Sequence, residues 1–118
     1  MSNSITHFEI HGTGPKGLAE FYKSVFGWHI EKAAGVDYWR VETGSADPIH
    51  GGLMYPAIAG LNGWIFYIKV DSLDRVVSDI QRLGGKIVRP RTAVPKTGWL
   101  TIVADPEGNI FGVWQAER

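Results

Sequence analysis

Between Ile5 and His11 apolar and polar residues alternate, with Ile5, Phe8 and Ile10 set against Thr6, His7, Glu9 and His11. That period predicts a strand with one side on a core, and its other side presents His7, Glu9 and His11 together. After Gly12 and Gly14, Pro15 suits the first turn of a helix. Leu18, Phe21, Tyr22, Val25 and Phe26 follow helical spacing until Gly27 stops it, and Lys16, Glu20 and Lys23 mark the wet face. Trp28 to Ile30, Tyr38 to Glu42 and Leu53 to Tyr55 read as three shorter strands, separated by the Gly35 turn and a loop from Gly44 to Gly52.

The same order returns after the polar, glycine-containing connection Ala59 to Gly63. A strand from Trp64 to Val70 precedes a helix that Asp71 or Ser72 can cap, with Leu73, Val76, Val77, Ile80 and Leu83 as its buried stripe. Gly84 and Gly85 end the helix. Lys86 to Arg89, Trp99 to Ala104 and Ile110 to Gln115 supply three more strands, the last two joined by the turn residues Asp105-Pro106-Glu107-Gly108-Asn109. Pro90, Thr92, Val94, Pro95 and Gly98 suggest a mobile loop. A shift of 58 residues lays one half on the other, pairing Phe8 with Phe66, Ile10 with Ile68, Leu18 with Val76 and Gly27 with Gly85. The chain is an internal duplication: an α+β single domain of two tandem β-α-β-β-β modules, at about 5–56 and 63–116, whose two halves are expected to frame a cleft.

Composition narrows the chemistry. A chain of 118 residues with 44% apolar content can bury a core without covalent staples. With no cysteine, disulfides, thiolate metal sites and cysteine nucleophiles are excluded. Twelve basic and twelve acidic residues, in no run of one sign, leave no footprint for nucleic acid or an anionic membrane. The apolar stretches are strand-sized and no basic segment precedes them, so the expectation is a soluble, cytoplasmic protein. No phosphate-binding glycine loop, serine nucleophile elbow or HExxH helix occurs.

FYKSVFGW after the first strand, the late glycine pair and DPEGNIFGVWQ near the end, on a repeated β-α-β-β-β plan, resemble the vicinal oxygen chelate superfamily over nearly the whole chain. That superfamily includes glyoxalase I, extradiol dioxygenases, methylmalonyl-CoA epimerase, fosfomycin-modifying enzymes and bleomycin-binding resistance proteins. The resemblance is specific for fold and leaves activity open. It implies a homodimer, with each cleft inside one chain or with modules traded between chains. In metal-using members each cleft takes one ligand from the first and one from the last strand of each module. Here the first position is His7; its repeat is Ile65, and the last-strand position is Gly112, neither of which offers a donor. The fourth-strand position falls within His50-Gly51-Gly52-Leu53-Met54, where only His50 has a suitable side chain.

A catalytic divalent ion needs three or four N/O ligands converging at about 2.0–2.2 Å. On one strand face alternate residues stand about 6.6 Å apart and the outer pair about 13 Å, so His7, Glu9 and His11 cannot all converge. His7 with Glu9 reads more simply as a hydrogen-bonded pair. Strand parity then turns Tyr67 and Lys69, and Gly112 and Trp114, to the cleft side, with Tyr38 or Trp39, Met54 and Trp99 as neighbours. Such a cleft suits a planar or partly apolar small molecule, and Gly112 opposite Trp114 leaves room for it.

The expected function is therefore metal-independent binding of a small organic molecule through His7, Tyr67, Lys69, Gly112, Trp114, Trp99 and Met54, with no cofactor. Any catalytic acid or base would be Glu9 or His11. The alternative is a lyase, isomerase or dioxygenase using a divalent metal such as Zn, Ni, Mn or Fe, held by His7 with Glu9 or His50. Arg40 and His50 are weaker candidates for ligand contact.

Overall fold

The computed structural model describes residues 3–44 and 49–117. Among these described residues, eight strands and two helices run in the order β1 (Ser4–His11), α1 (Pro15–Phe26), β2 (His29–Lys32), β3 (Tyr38–Glu42), β4 (His50–Met54), β5 (Gly63–Lys69), α2 (Leu73–Arg82), β6 (Lys86–Val94), β7 (Gly98–Ala104) and β8 (Ile110–Ala116). The β-α-β-β-β plan thus occurs twice. Contacts divide the chain into two compact units, His7–Ile65 and the residues up to Thr6 together with those from Phe66 onward.

In the His7–Ile65 unit the strands lie in the order β2-β3-β4-β1, with β1 and β4 parallel and the other neighbours antiparallel. Phe8 and Ile10 leave β1 on the side where α1 packs, and join Ala19, Ile30, Val41 and Leu53 in a core flanked by Leu18, Tyr22, Trp28 and Trp39. Pro15 opens α1, and Gly27 closes it in the left-handed conformation at φ 70°, its N–H returning to the Lys23 carbonyl. The buried stripe of α1 is narrower than its spacing predicts: Phe21, Val25 and Phe26 remain more than half exposed. Four strands offer the helix a seat of limited width, which Leu18, Ala19 and Tyr22 fill. Trp28 stacks on both Tyr22 and Phe26, and Trp64 stacks on Phe8 at 5.3 Å. Trp64 is nonetheless 44% exposed, so it caps this core from outside.

In the other unit the order is β5-β8-β7-β6, again with a parallel pair, β5 with β8, and antiparallel neighbours beyond. Asn3 donates its N–H to the Lys69 carbonyl at 2.7 Å, which ties the chain's first described residues to this unit. Ser72 caps α2 by accepting the Arg75 N–H, and Gln115 Oε1 accepts the Leu73 N–H at 2.8 Å. The core joins Val70, Leu73 and Val113 with Ile68, Val76, Val77, Ile80, Trp99 and Phe111. Leu83 terminates the helix and is exposed rather than part of the stripe, and Phe66 is exposed as well.

The expected mobile loop after Arg89 is instead mostly strand. β6 continues to Val94, pairing Thr92 with Leu100, Ala93 with Trp99 and Val94 with Gly98, and two register shifts between Ile87 and Thr92 take up the stretch containing Pro90. Pro90 has no N–H to give a ladder, so it sits at the irregularity. Arg91 reinforces the strand, lying 4.9 Å over the Trp99 ring and bonding Asp74 at 2.9 Å.

Where β1 meets β4, Phe8 is opposite Gly51 and its ring lies across that glycine, so a Cβ there would overlap the ring. Gly51→Ala is therefore expected to lower unfolding free energy by about 1–3 kcal/mol through overpacking. Gly17→Ala, in open space on α1, should raise it by about 0.5–1 kcal/mol through helix propensity. Urea unfolding of both variants checks the pair; equal effects would contradict the packing assigned to Phe8.

Candidate functional site

The side of β1 opposite α1 carries His7, Glu9 and His11. Its neighbour β4 puts His50, Gly52 and Met54 opposite them in register, and β3 places Arg40 beside Gly52 and Tyr38 beside Met54. Parity thus resolves the choice between Tyr38 and Trp39: Trp39 packs into the α1 core, and Tyr38 joins the polar face.

Glu9 is the centre of this face. It is only 8% exposed, and its carboxylate bridges the two histidines of its own strand. His11 Nε2 lies 3.0 Å from Oε1, a hydrogen bond, whereas His7 Nε2 lies 3.8 Å from Oε2, within ion-pair range only. The hydrogen-bonded pair is thus Glu9 with His11, not His7 with Glu9. His11 is fully enclosed, its side chain at 0% exposure, and its Nδ1 accepts the Ala57 N–H at 3.2 Å. His7 stays partly open and shares a 3.3 Å hydrogen bond with the Tyr38 hydroxyl. Burial pushes the Tyr38 phenol well above the usual tyrosine range; the negative charge of Glu9 adds to this and Arg40 opposes it. Tyr38 therefore keeps its proton across the physiological range and remains a hydrogen-bond donor.

Tyr38 also explains a glycine. A Cβ on Gly52 would overlap the Tyr38 hydroxyl, so the phenol occupies the space a side chain from β4 would need. In its strand pair, Gly52 opposite Glu9 holds the place that Gly112 holds opposite Tyr67 in the pairing of β5 with β8. The Tyr67 ring covers Gly112 in the same manner. The room expected at Gly112 is therefore filled by Tyr67, which is only 4% exposed.

In the unit containing Tyr67, Lys69 lies opposite Trp114 and holds its ammonium 5.3 Å from the centroid of that ring. The Trp114 indole N–H donates to the Thr6 hydroxyl at 3.0 Å. Tyr67, Lys69, Gly112 and Trp114 are thus brought together as expected from parity. Trp99 is not with them. It packs with Val70, Leu73 and Val113 beneath α2, because β7 turns Leu100, not Trp99, to the side of its register partner Trp114.

The four positions that the resemblance assigns to metal ligands hold His7, Ile65, Gly112 and, by the register just described, Gly52. One imidazole among them does not fit a divalent ion that needs three or four donors. Among the described residues, no group of three or more His, Asp or Glu side chains is placed to hold a metal. His50 faces solvent opposite His7. Sequence reasoning missed Gly52 and the Ala57 amide; the alternation Tyr38, Arg40, Glu42 against Trp39 and Val41 was the signal for Tyr38.

No helix among the described residues is long and apolar enough to cross a membrane. Residues 7–114 match the family model described as a glyoxalase-like domain. Over 97 residues, 79% of this chain, the sequence is 33% identical to proteins named "Putative glyoxylase CFP32" from Mycobacterium bovis and Mycobacterium tuberculosis. The aligned part is 36% of those proteins, so the chain spans about a third of the length of the curated relatives it matches. Among solved structures, a glyoxalase/bleomycin resistance protein/dioxygenase superfamily member from Vibrio splendidus matches with TM-score 0.66 at 12% identity, covering 93% of this chain and 96% of that one. Methylmalonyl-CoA epimerase from Mycobacterium tuberculosis matches with TM-score 0.65 at 13% identity, covering 99% and 90%. At such identities the structural likeness speaks for the fold. With the family model spanning nearly all of it, this chain belongs to the glyoxalase-like domain family.

Proposed function

We propose that this protein binds a small organic molecule without a divalent metal, and that Glu9 is the group that orients it. The observation that carries this reading is the filled ligand position on β4: the Tyr38 hydroxyl lies where a ligating side chain would project from Gly52. A protonated phenol cannot replace a carboxylate ligand, but it can donate a hydrogen bond. The face then offers a buried acceptor at Glu9, a donor at Tyr38 and a partly open imidazole at His7, a set that recognises a polar group on an otherwise apolar molecule. Within the other unit, Tyr67, Lys69 and Trp114 form an aromatic and cationic constellation of their own, of a kind suited to a planar or anionic group.

Should the bound molecule react, Glu9 is the natural base. It is enclosed, hydrogen-bonded and on a strand rather than a loop, so its carboxylate is held in one geometry. His11 has both ring nitrogens engaged and no solvent access, which suits it poorly to carry protons. The alternative, a metal-dependent lyase, isomerase or dioxygenase using His7 with Glu9 or His50, demands ion binding that the screen below exposes.

A thermal-shift screen of chelator-treated protein against small carbonyl compounds, hydroxy acids and aromatic metabolites tests the reading. Hits are expected with EDTA present, and Glu9→Gln should weaken each by roughly ten- to a hundredfold, matching loss of a charged hydrogen bond worth about 1.5–3 kcal/mol. Hits indifferent to Glu9→Gln, or binding that needs added Zn, Ni, Mn or Fe, would contradict it.

The Tyr38 phenol makes a separate prediction. Its folded-state pKa lies above the unfolded value of about 10, so above that pH the unfolded chain releases a proton that the folded chain retains. Stability should therefore fall as pH rises past about 10, and part of that fall should vanish in Tyr38→Phe. Urea midpoints of the two proteins from pH 9 to 11 provide the check.

A further inference from the structure

A carboxylate enclosed as Glu9 is needs a donor fixed in place, because burial removes the water that would otherwise solvate it. The His11 ring supplies that donor, and the identity of its donating nitrogen follows from its other neighbour. Ala57 contributes a backbone N–H at 3.2 Å from Nδ1. An N–H only donates, so Nδ1 is the lone-pair nitrogen, and the proton of the neutral ring sits on Nε2, pointing at Glu9 Oε1 3.0 Å away. The result is a directed relay: Ala57 N–H to His11 Nδ1, then His11 Nε2–H to Glu9.

The segment carrying Ala57 is itself braced. Pro56 precedes Ala57 with a ring-restricted φ, and immediately after it the Leu61 N–H closes a turn onto the Ile58 carbonyl at 3.0 Å. At the other end of the relay, the Gly12 N–H, directly after His11, returns to the Met54 carbonyl at 3.0 Å, which fixes the end of β1 against β4. The imidazole is held from both sides.

We propose that His11 is a positioning residue for Glu9: the Ala57 amide selects its tautomer, the tautomer fixes the Glu9 carboxylate, and Glu9 alone of the two meets the bound molecule. This rests on the reading of Glu9 given above. It moves His11 out of the acid–base role suggested by its place in the sequence, and it makes the connection between β4 and β5 part of the site.

The test is nuclear magnetic resonance on the full chain, free of metal and ligand, labelled with 15N in histidine and 13C in the glutamate carboxyl. Long-range proton–nitrogen correlations should show His11 with Nε2 protonated and Nδ1 bare, and Ala57→Pro, which deletes the donor, should abolish that preference. His11→Gln keeps an N–H at the Nε2 position, whereas His11→Leu does not. Both should melt lower than the parent, but the Glu9 carboxyl signal should stay near its parental shift in His11→Gln and move in His11→Leu. A proton on Nδ1 of the parent, or a Glu9 signal that responds alike in the two His11 variants, would overturn the proposal. Because no ligand is present, either result leaves the binding reading to be judged by its own screen.

Discussion

A carboxylate can be buried only where donors replace its water, and the hydrogen bond between His11 and Glu9 contributes to that in this protein. Much of the His7–Ile65 unit is arranged around it. The alternation of β1 sends Phe8 and Ile10 into the α1 core, and thereby sends His7, Glu9 and His11 to the opposite side. Parallel pairing with β4 brings Gly52 and Met54 beside them, and β3 adds Tyr38. Core and polar face are two consequences of one strand's period.

The glycines show how the duplication has been used. In each half a glycine within a parallel-paired strand, Gly52 on β4 and Gly112 on β8, lies beneath a tyrosine, Tyr38 in one unit and Tyr67 in the other. A side chain at either glycine would collide with its ring. In both halves a tyrosine ring takes the space that a side chain at the glycine would need. The family's fold is intact, and fold alone does not carry a reaction with it.

Much of the architecture was legible from pattern. The period of β1, Pro15 and Gly27 at the ends of α1, and Ser72 before α2 each act locally, so the sequence alone locates them. What was not legible depended on tertiary partners. Gly112 announces a close approach but not the approaching group, and Tyr67 fills it instead of a ligand. Gly98 is followed by two apolar residues, Trp99 and Leu100, so parity could not say which faces α2. Helical spacing marks Phe21, Val25 and Phe26 as apolar without revealing that the four strands beneath α1 leave them no seat. The Ala57 amide had no side-chain signal at all, since a backbone donor is invisible in a sequence.

The proposal of a metal-free Glu9 face rests on the Tyr38 hydroxyl lying where a side chain from Gly52 would project. The most direct test is a crystal structure of the protein soaked in a zinc salt, with diffraction recorded on both sides of the zinc absorption edge. The expected result is the Tyr38 ring seated over Gly52, His11 bonded to Glu9, and no anomalous peak at His7. A zinc peak within about 2.2 Å of a His7 nitrogen, with Tyr38 displaced from Gly52, would contradict it.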